Sequence, residues 1–497
     1  MKESYESLAF LRRRVFSEVA KFAFEHKKPE DLRNLAYEIL PGEVATYRDS
    51  IFKERAILEE RIRMSMGLDV RSAGEFSLIT DGLENIDMKE VHFSLPLVNV
   101  IPFACEACPS KSFYVTNNCR KCLAHPCTNV CPVNAISIGS KGAVIDKDKC
   151  IKCGRCKDAC PYSAIVKYDR PCASVCGVNA IESDEMGRAK INADKCVSCA
   201  RCMTECPFGA ISDKGQIYQL SKSIADGEKN YAIVAPSFVG QFGLTANPLQ
   251  VIEAIKAVGF RNVVEVALGA DITTINEAKE YLHRVPDEIP FMATSCCNSW
   301  WLMVKKNFPE EFKYISDSAS PMVYTARYIK EKVPEAKITF IGPCVSKKIE
   351  AMRDDIKGLV DYVITYEELM GMFHAKGIEP SEMEVKSDFK YSSSLGRGYS
   401  VAAGVAGAVK ETAEKLDPTK EIKIMAASTL EDCMKMMKVA KAGKYNGYLL
   451  EGMACPGGCN NGPGCMSNSP KIQKEWKKFV DDAEVYYPTD NYNVTQE

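Results

Sequence analysis

Sixteen cysteines between residues 105 and 206 constrain this chain more than any other feature. Two runs have the spacing C-x2-C-x2-C-x3-C followed by proline, a third run carries two extra residues, and two cysteine pairs complete the series. C-x2-C spacing favours metal ligation over disulfides. The runs and pairs are Cys119, Cys122, Cys127 and Cys131; Cys150, Cys153, Cys156 and Cys160; Cys196, Cys199, Cys202 and Cys206; Cys105 and Cys108; and Cys172 and Cys176.

The spacing is that of bacterial ferredoxins, in which three cysteines of a run bind one [4Fe-4S] cluster and the fourth binds the cluster of another run. This exchange predicts four clusters with no thiol left over. Zinc is the alternative for C-x2-C pairs, but the Cys-Pro endings favour iron–sulfur clusters. The predicted sets are Cys119, Cys122 and Cys127 with Cys160; Cys150, Cys153 and Cys156 with Cys131; Cys196, Cys199 and Cys202 with Cys176; and Cys105, Cys108 and Cys172 with Cys206.

A four-residue word after each fourth cysteine also repeats. It reads Val-Asn-Ala-Ile from Val133 and from Val178, Tyr-Ser-Ala-Ile from Tyr162, and Phe-Gly-Ala-Ile from Phe208. The repeat predicts short hairpins, one from each half of a ferredoxin fold. His125 lies inside the third run, and a surface or neighbouring position is favoured for it over ligation.

The composition changes on both sides of this region. Apolar residues recur every three or four positions near the N terminus, which predicts helices without recognisable chemistry. From about residue 231, strand-like runs such as Tyr231–Ala235 and Val263–Ala267 alternate with helical stretches. We therefore expect a helical module (1–95), a ferredoxin-like α+β domain with four [4Fe-4S] clusters (96–225), an α/β catalytic domain (226–470) and a C-terminal tail (471–497).

Charge and motifs exclude several function classes. The formal net charge of -2 gives no indication of nucleic-acid or membrane binding. No G-x-G-x-x-G turn follows a strand and no P-loop is found, so a nucleotide or flavin site has no support. Electrons are therefore expected to come from or go to another protein. Arg12, Arg13 and Arg14 precede no apolar stretch, so a cytoplasmic protein is expected.

Three further cysteine stretches lie far apart in the second half of the chain. They are Thr294–Cys297, Gly342–Glu350 and Glu451–Cys459, and each follows an apolar, strand-like run. Cysteines that recur in this way at strand ends predict one buried metal site assembled from distant loops.

These stretches resemble the three signatures of the [FeFe]-hydrogenases, and the resemblance covers roughly residues 100–470. It implies that Cys297, Cys344, Cys455 and Cys459 hold the [4Fe-4S] cube of an H-cluster. Cys459 would also bridge to a diiron unit with CO, cyanide and azadithiolate ligands. The implied reaction is 2H+ + 2e- ⇌ H2, with an external carrier such as ferredoxin or flavodoxin. The protein would be a monomer of a variant subgroup.

The resemblance also implies a proton relay in the order Cys296, Glu280, Ser316, Glu277 and Arg284. Two glutamates and the arginine have helical spacings of three and four, so they share a face. By periodicity alone, a solvated helix face with a salt bridge would be the simpler interpretation.

Other positions match groups that surround the diiron unit. Lys347 matches the residue that contacts one cyanide, and Ala235, Pro236 and Ser237 match the groups that contact the other. Met453 matches the wall of the pocket, and Glu350 matches the support of the lysine loop. The chain departs from the common pattern at Asn298, which replaces a proline, and at Gly342, which replaces a methionine. The glycine is expected to open space beside the diiron unit.

A hydrogenase is therefore the predicted function, with three alternatives. A hydrogen sensor would have the same cofactor and low turnover, but sensors tend to lose the cysteine at position 296 and to carry a signalling domain, and none is visible. A cofactor-free relative in iron–sulfur assembly is disfavoured by Lys347 and Met453. A plain polyferredoxin would leave the second half of the chain unexplained.

Overall fold

The computed structural model describes residues 8–72, 74–86, 88, 93–386 and 388–495. Its first helices cover the domain that follows residue 226. Val15 and Val19 are fully buried in one core with Leu369 and Met372. The N-terminal helices therefore share their hydrophobic core with the catalytic region. They are α1 (Leu8–Phe24), α2 (Leu32–Ile39) and α3 (Ile51–Ser65).

The cysteine-rich region consists of short strands and single-turn helices. These elements are β1 (Val98–Val100), β2 (Ser112–Val115), α4 (Pro126–Asn129), β3 (Ile136–Ile138), β4 (Ala143–Ile145), α5 (Arg155–Ala159), β5 (Ile165–Tyr168), α6 (Pro171–Ser174), β6 (Ile181–Ser183), β7 (Ala189–Ile191), α7 (Arg201–Thr204) and β8 (Ile211–Asp213).

One ferredoxin-like unit is inserted into another. The antiparallel pair β2–β5 closes an inner unit around the hairpin β3–β4, and the pair β1–β8 closes an outer unit around the hairpin β6–β7. The inner unit occupies the chain between Cys108 and Cys172. This insertion separates cysteines of the outer unit that lie close together in space.

The catalytic region contains two parallel sheets with helices around them. Its elements are α8 (Ile217–Ala225), β9 (Asn230–Val234), α9 (Pro248–Val258), β10 (Asn262–Glu265), α10 (Val266–Arg284), β11 (Phe291–Ala293), α11 (Asn298–Asn307), α12 (Pro321–Lys332), β12 (Lys337–Gly342), α13 (Lys347–Glu350), β13 (Tyr362–Thr365), α14 (Tyr366–Lys376), α15 (Ser394–Arg397), α16 (Gly404–Leu416), β14 (Lys423–Ser428), α17 (Leu430–Lys441), β15 (Tyr448–Met453), α18 (Pro470–Asp481) and α19 (Tyr492–Thr495).

The strand order is β10-β9-β12-β13 in the larger sheet and β11-β15-β14 in the smaller one, and every pair is parallel. The expected strand Val263–Ala267 is wrong at its end, because α10 begins at Val266. A Cβ atom at Gly269 would lie 2.1 Å from the Pro321 carbonyl oxygen. The glycine therefore lets α10 contact α12 within its first turn.

Helix α18 and the segment that leads to α19 pack on the catalytic region rather than extending from it. Phe479 of α18 is buried, with its ring centroid 5.5 Å from that of Phe238. The Asn491 side-chain amide donates to the buried Asp271 carboxylate at 2.7 Å. Among the described residues, no helix combines the length and apolar character that crossing a bilayer requires.

Candidate metal centres and proton path

The three cysteine loops of the catalytic region begin at the carboxyl ends of parallel strands. Cys297 follows β11, Cys344 follows β12 and Cys455 follows β15. Ligand sites of parallel sheets form at this edge, beyond the strand ends. Cys459 supplies a fourth thiol. We call the region around these four cysteines, between the carboxyl-terminal edges of the two sheets, the cleft.

The four thiols of the cleft share one buried environment. Burial raises the pKa of Cys344 to about 11, and the nearby Cys297 adds to this shift. Burial also raises the pKa of Cys455 well above its usual range, with contributions from Cys344, Cys459 and Cys297. Each of the four thiols therefore lies close to the others.

This donor set fits a [4Fe-4S] cube. Backbone N–H groups of Ser299, Trp300 and Ala454 counter the effect of burial on the pKa of Cys297, and such donors favour the thiolate that iron needs. Within the described residues, no group of three or more His, Cys, Asp or Glu side chains is arranged to hold a single metal ion. In a cube, by contrast, each thiolate binds a different iron.

The sixteen cysteines of the ferredoxin-like region also form groups of four. Each of three groups lines its own cavity. The members of the fourth group lie close together, because burial and then its other three cysteines raise the pKa of Cys202. The groups are Cys105, Cys108, Cys172 and Cys206; Cys131, Cys150, Cys153 and Cys156; Cys119, Cys122, Cys127 and Cys160; and Cys176, Cys196, Cys199 and Cys202. They have the same members as the predicted sets.

The repeated alanine explains why the word after each fourth cysteine recurs. The N–H groups of Ala135, Ala164, Ala180 and Ala210 donate to the sulfur four residues earlier at 3.2, 3.4, 3.2 and 3.3 Å. The preceding residue has a positive φ in every case. This backbone turn aims the amide at the thiolate, and the buried position leaves room only for a small side chain. His125 lines the cavity that also contains Cys119.

The outer ferredoxin-like unit makes direct contact with the cleft. The Val197 carbonyl accepts hydrogen bonds from Ser299 at 3.1 Å and from Ser346 at 3.3 Å. Cys199 is near enough to contribute to the raised pKa of Cys455, after burial and the other cleft thiols. The set with Cys199 is therefore the neighbour of the cleft.

The predicted relay order is wrong for its two glutamates. Glu277 is fully buried, and its carboxylate accepts from the Ser295 N–H at 2.9 Å and hydroxyl at 3.0 Å. Burial and then the Glu277 charge raise the pKa of Cys296. Glu277 therefore neighbours Cys296, where Glu280 was expected.

Glu280 lies at the outer end of the path. It accepts from Ser316 at 2.6 Å and forms an ion pair with Arg284. Burial raises the pKa of Glu277 to about 7, and the hydrogen bonds from Ser295 and the nearby Ser316 hydroxyl act against this shift without cancelling it. Because α10 runs outward from the cleft, the earlier glutamate lies deeper. The spatial order is Cys296, Glu277, Ser316, Glu280 and Arg284.

Lys347 is buried at the base of the cleft. Its ammonium donates to Glu350 at 2.6 Å and to the Cys296 carbonyl at 3.0 Å. Burial would lower the pKa of Lys347, but the Glu350 carboxylate and nearby thiols raise it overall. Glu350 thus neutralises the ammonium directly and also accepts from Ser320.

The predicted Ser237 is hydrogen-bonded to Tyr366, a residue near Cys459 that sequence inspection missed. Ser237 and Tyr366 share a hydrogen bond of 2.7 Å, and the Tyr366 hydroxyl donates to the Ala235 carbonyl at 3.1 Å. Pro236 begins the turn that places Ser237 there. Met453 is buried in a cluster that contacts Cys296. Nothing in the local sequence around Tyr366 distinguishes it from a core aromatic residue.

The two departures from the family pattern have structural explanations. The Asn298 amide donates at 2.9 Å to both the carbonyl and the hydroxyl of Ser346, which ties two cysteine loops together. A Cβ at Gly342 would lie 2.5 Å from the Phe340 ring. The expectation that Gly342 opens space is therefore wrong, because Phe340, two residues earlier on the same face of β12, fills that position.

Comparisons with known proteins agree with this organisation. Residues 228–463 match the family "Iron only hydrogenase large subunit, C-terminal domain". Residues 166–217 match the LdpA Fe-S cluster-binding domain, and residues 143–166 match the 4Fe-4S binding domain.

Among named relatives, Iron hydrogenase 1 of Clostridium pasteurianum is 29% identical over 67% of this chain and 66% of its own length. The periplasmic [Fe] hydrogenase large subunit of Nitratidesulfovibrio vulgaris is 26% identical over 64% of this chain and 85% of its own length. The cytosolic Fe-S cluster assembly factor NAR1 of Candida dubliniensis is 31% identical over 20% of this chain and 19% of its own length.

A solved structure of [FeFe]-hydrogenase HydA1 from Chlamydomonas reinhardtii covers 54% of this chain and 88% of its own, with a TM-score of 0.44 and 22% identity. The family match and the curated hydrogenase relatives, together with the cysteine sets at the strand ends, establish that the chain is an [FeFe]-hydrogenase-like protein.

Proposed function

We propose that this protein catalyses 2H+ + 2e- ⇌ H2 in the cleft. One observation carries the proposal: a chain of acid–base groups leads from Cys296, beside the four thiols, to Arg284 near the surface. A closed metal site that consumes protons needs such a path, because bulk water cannot enter it freely.

The H-cluster would be held by Cys297, Cys344, Cys455 and Cys459. When bound, it supplies the irons at which protons and electrons combine. Lys347, kept charged by Glu350, would offer a charged N–H donor to an anionic cyanide. Ser237 offers a hydroxyl to the second cyanide, and Met453 closes the wall.

The remaining residues of the cleft move protons. Cys296 donates to and accepts from the reacting site. Glu277 exchanges protons with Cys296, and its pKa of about 7 suits transfer near neutral pH. Its Oε2 atom is buried and has no hydrogen-bond partner within the described part of the chain. Ser316 links it to Glu280, and Arg284 connects Glu280 with the exposed Asp317.

Electrons would reach the cleft through four accessory [4Fe-4S] clusters. The set with Cys199 would be the last of these, and the set with Cys172 would precede it. The two sets are neighbours, because Cys172 contributes to the raised pKa of Cys202, after burial and the nearer thiols. An external carrier, ferredoxin or flavodoxin, would reduce the distal sets. We propose a cytoplasmic monomer, because electron transfer and catalysis share one chain.

The decisive test is infrared spectroscopy of protein matured with the diiron cofactor, combined with hydrogen evolution from reduced methyl viologen. CO and cyanide bands and turnover are expected. Cys296→Ala should keep the bands and lose most turnover, whereas Cys433→Ala, which removes a buried thiol outside the cleft, should keep both. Absence of the bands from loaded wild-type protein would refute the proposal.

The same measurements distinguish two other functions from catalysis. A hydrogen sensor would show the bands with little turnover in the wild type. An iron–sulfur assembly factor, suggested by the short likeness to NAR1, would bind cubes without CO or cyanide bands. The relay from Cys296 to Arg284 favours catalysis over both, since neither role requires proton delivery at high rate.

A further inference from the structure

The inner ferredoxin-like unit differs from the rest of the chain in charge. Residues 111–168, which we call the basic lobe, contain ten Lys or Arg and three Asp or Glu, a formal charge of +7 in a chain of -2. All ten basic side chains are exposed. They are Lys111, Arg120, Lys121, Lys141, Lys147, Lys149, Lys152, Arg155, Lys157 and Lys167.

Large apolar side chains also lie exposed in the cluster-binding loops of the basic lobe. Leu123, Ile151 and Tyr162 are 96%, 59% and 50% exposed. Ile151 lines the cavity of Cys153, and Tyr162 lines the cavity of Cys122. Exposed apolar side chains therefore lie beside both cysteine sets of the lobe, among charged neighbours, an arrangement that fits an interaction surface. Within the described chain, nothing covers these three residues.

The same loops bring a cysteine set to the surface. Cys153 is exposed, whereas the thiols of the cleft are not. An electron can enter a protein only where a donor approaches a redox centre closely. Exposed Ile151 lies beside this set, so it flanks a place at which a donor can make contact.

We propose that the basic lobe is the docking surface for an acidic electron-carrier protein. Leu123, Ile151 and Tyr162 form the contact, and the surrounding Lys and Arg attract and orient the carrier. Charge complementarity of this kind mainly raises the association rate, and it weakens with salt. A small contact area suits a carrier that must leave after each transfer.

A membrane or a nucleic acid is less suitable as an occupant. Either would use the basic residues, but neither exchanges electrons, so the exposed Cys153 and its apolar surroundings would serve no purpose. The inference rests on the proposed function for the need of a carrier. The surface itself is defined by charge and exposure alone.

The test compares two double variants with equal charge change. Lys141→Glu/Lys157→Glu alters the basic lobe, and Lys474→Glu/Lys477→Glu alters exposed positions on α18. Binding of an acidic 2[4Fe-4S] ferredoxin to the full chain with its clusters is measured by calorimetry at low and high salt. We expect the dissociation constant to rise at least about fivefold for the lobe variant at low salt, with a smaller rise at high salt.

The control variant should bind like the wild type, and both variants should keep their iron content and their hydrogen evolution with methyl viologen. Leu123→Ser should weaken ferredoxin binding without changing its salt dependence. Equal binding by the lobe and control variants would overturn the proposal. So would binding to anionic lipid vesicles or single-stranded DNA that is as tight as binding to the ferredoxin.

The docking surface and the proposed function can fail separately. A protein that binds ferredoxin through the basic lobe but evolves no hydrogen from either donor would retain the docking surface and lose the catalytic function. A protein that evolves hydrogen with methyl viologen, and whose ferredoxin-driven rate is identical in both variants, would lose the docking surface alone.

Discussion

The cleft and the basic lobe place the same kind of ligand in opposite surroundings. In the cleft, burial raises the pKa of Cys344 to about 11. In the lobe, N–H groups of Ala143 and Lys121 lower the pKa of Cys119. Hydrogen bonds thus favour the thiolate of Cys119, whereas burial disfavours the thiolates of the cleft, which would depend on bound metal for their stability. Under the proposed function, the cleft is isolated for proton chemistry and the lobe is open for electron exchange.

The largest effect should follow from removing a cleft ligand. We expect Cys344→Ala to abolish hydrogen evolution and to lower the iron content of matured protein by about six atoms per chain, because three thiols would leave the cube incomplete and the attached diiron unit without its support. Iron analysis and turnover with methyl viologen measure both effects.

Cys433→Ala is the matched control for this variant. Cys433 is fully buried on α17 but belongs to no cysteine set. Its loss should cost about 1 kcal/mol of stability and no iron. Full activity in Cys344→Ala, or an equal loss of iron in Cys433→Ala, would contradict the assignment of the cleft.

The next largest effect concerns the buried glutamate. Glu277→Gln retains the shape and the hydrogen-bond acceptor for Ser295 but cannot carry a proton, so turnover should fall about 100-fold or more. Glu310, which is 81% exposed and contacts no member of the proposed path, provides the control, and Glu310→Gln should leave turnover unchanged. Unchanged cofactor bands in the infrared spectrum would show that the loss is one of proton transfer.

The pH dependence of the wild type gives a second measure of the same residue. Burial raises the pKa of Glu277 to about 7, so the protonated form that donates toward the cleft is present below that pH and is lost above it. Hydrogen evolution should therefore decline as the pH rises through about 7. A rate that increases over this range would place the proton donor elsewhere.

The sequence predicted the components of both sites better than their arrangement. Cysteine spacing predicts which cysteines lie together, because the loop that binds a cube has a fixed length. It also paired Cys105 with Cys172, although a whole inserted unit lies between them. Helical spacing placed Glu277 and Glu280 on one face, but it does not tell which end of α10 points into the cleft. That direction depends on tertiary packing.

Packing around Gly342 could not be predicted for the same reason. The missing side chain is visible in the sequence, but the Phe340 ring that replaces it depends on the conformation of β12. Tyr366 likewise reaches Ser237 only because β9 and β13, which flank β12 in the larger sheet, end at the same edge. Long-range contacts of this kind leave no local pattern.

Rigid packing in the cleft predicts a stability effect of intermediate size. Gly342→Ala would place a methyl group 2.5 Å from the Phe340 ring, so we expect a loss of about 1–3 kcal/mol in the free energy of unfolding. Val144→Ser in the basic lobe, where the side chain is 55% exposed, should change stability by less than about 0.5 kcal/mol. Chemical unfolding of both variants tests the contrast, and Phe340→Leu should partly rescue Gly342→Ala.

The smallest effect should come from an exposed ligand of the lobe. Cys153→Ser changes one thiolate of a distal set, but methyl viologen is small and can donate to other sets, so its hydrogen evolution should fall by no more than about threefold. Ferredoxin-driven evolution should fall further, because a docked protein donates at a fixed place. Equal losses with both donors would mean that all electrons pass through this set. The division between an isolated cleft and an open lobe with alternative entry points would then be wrong.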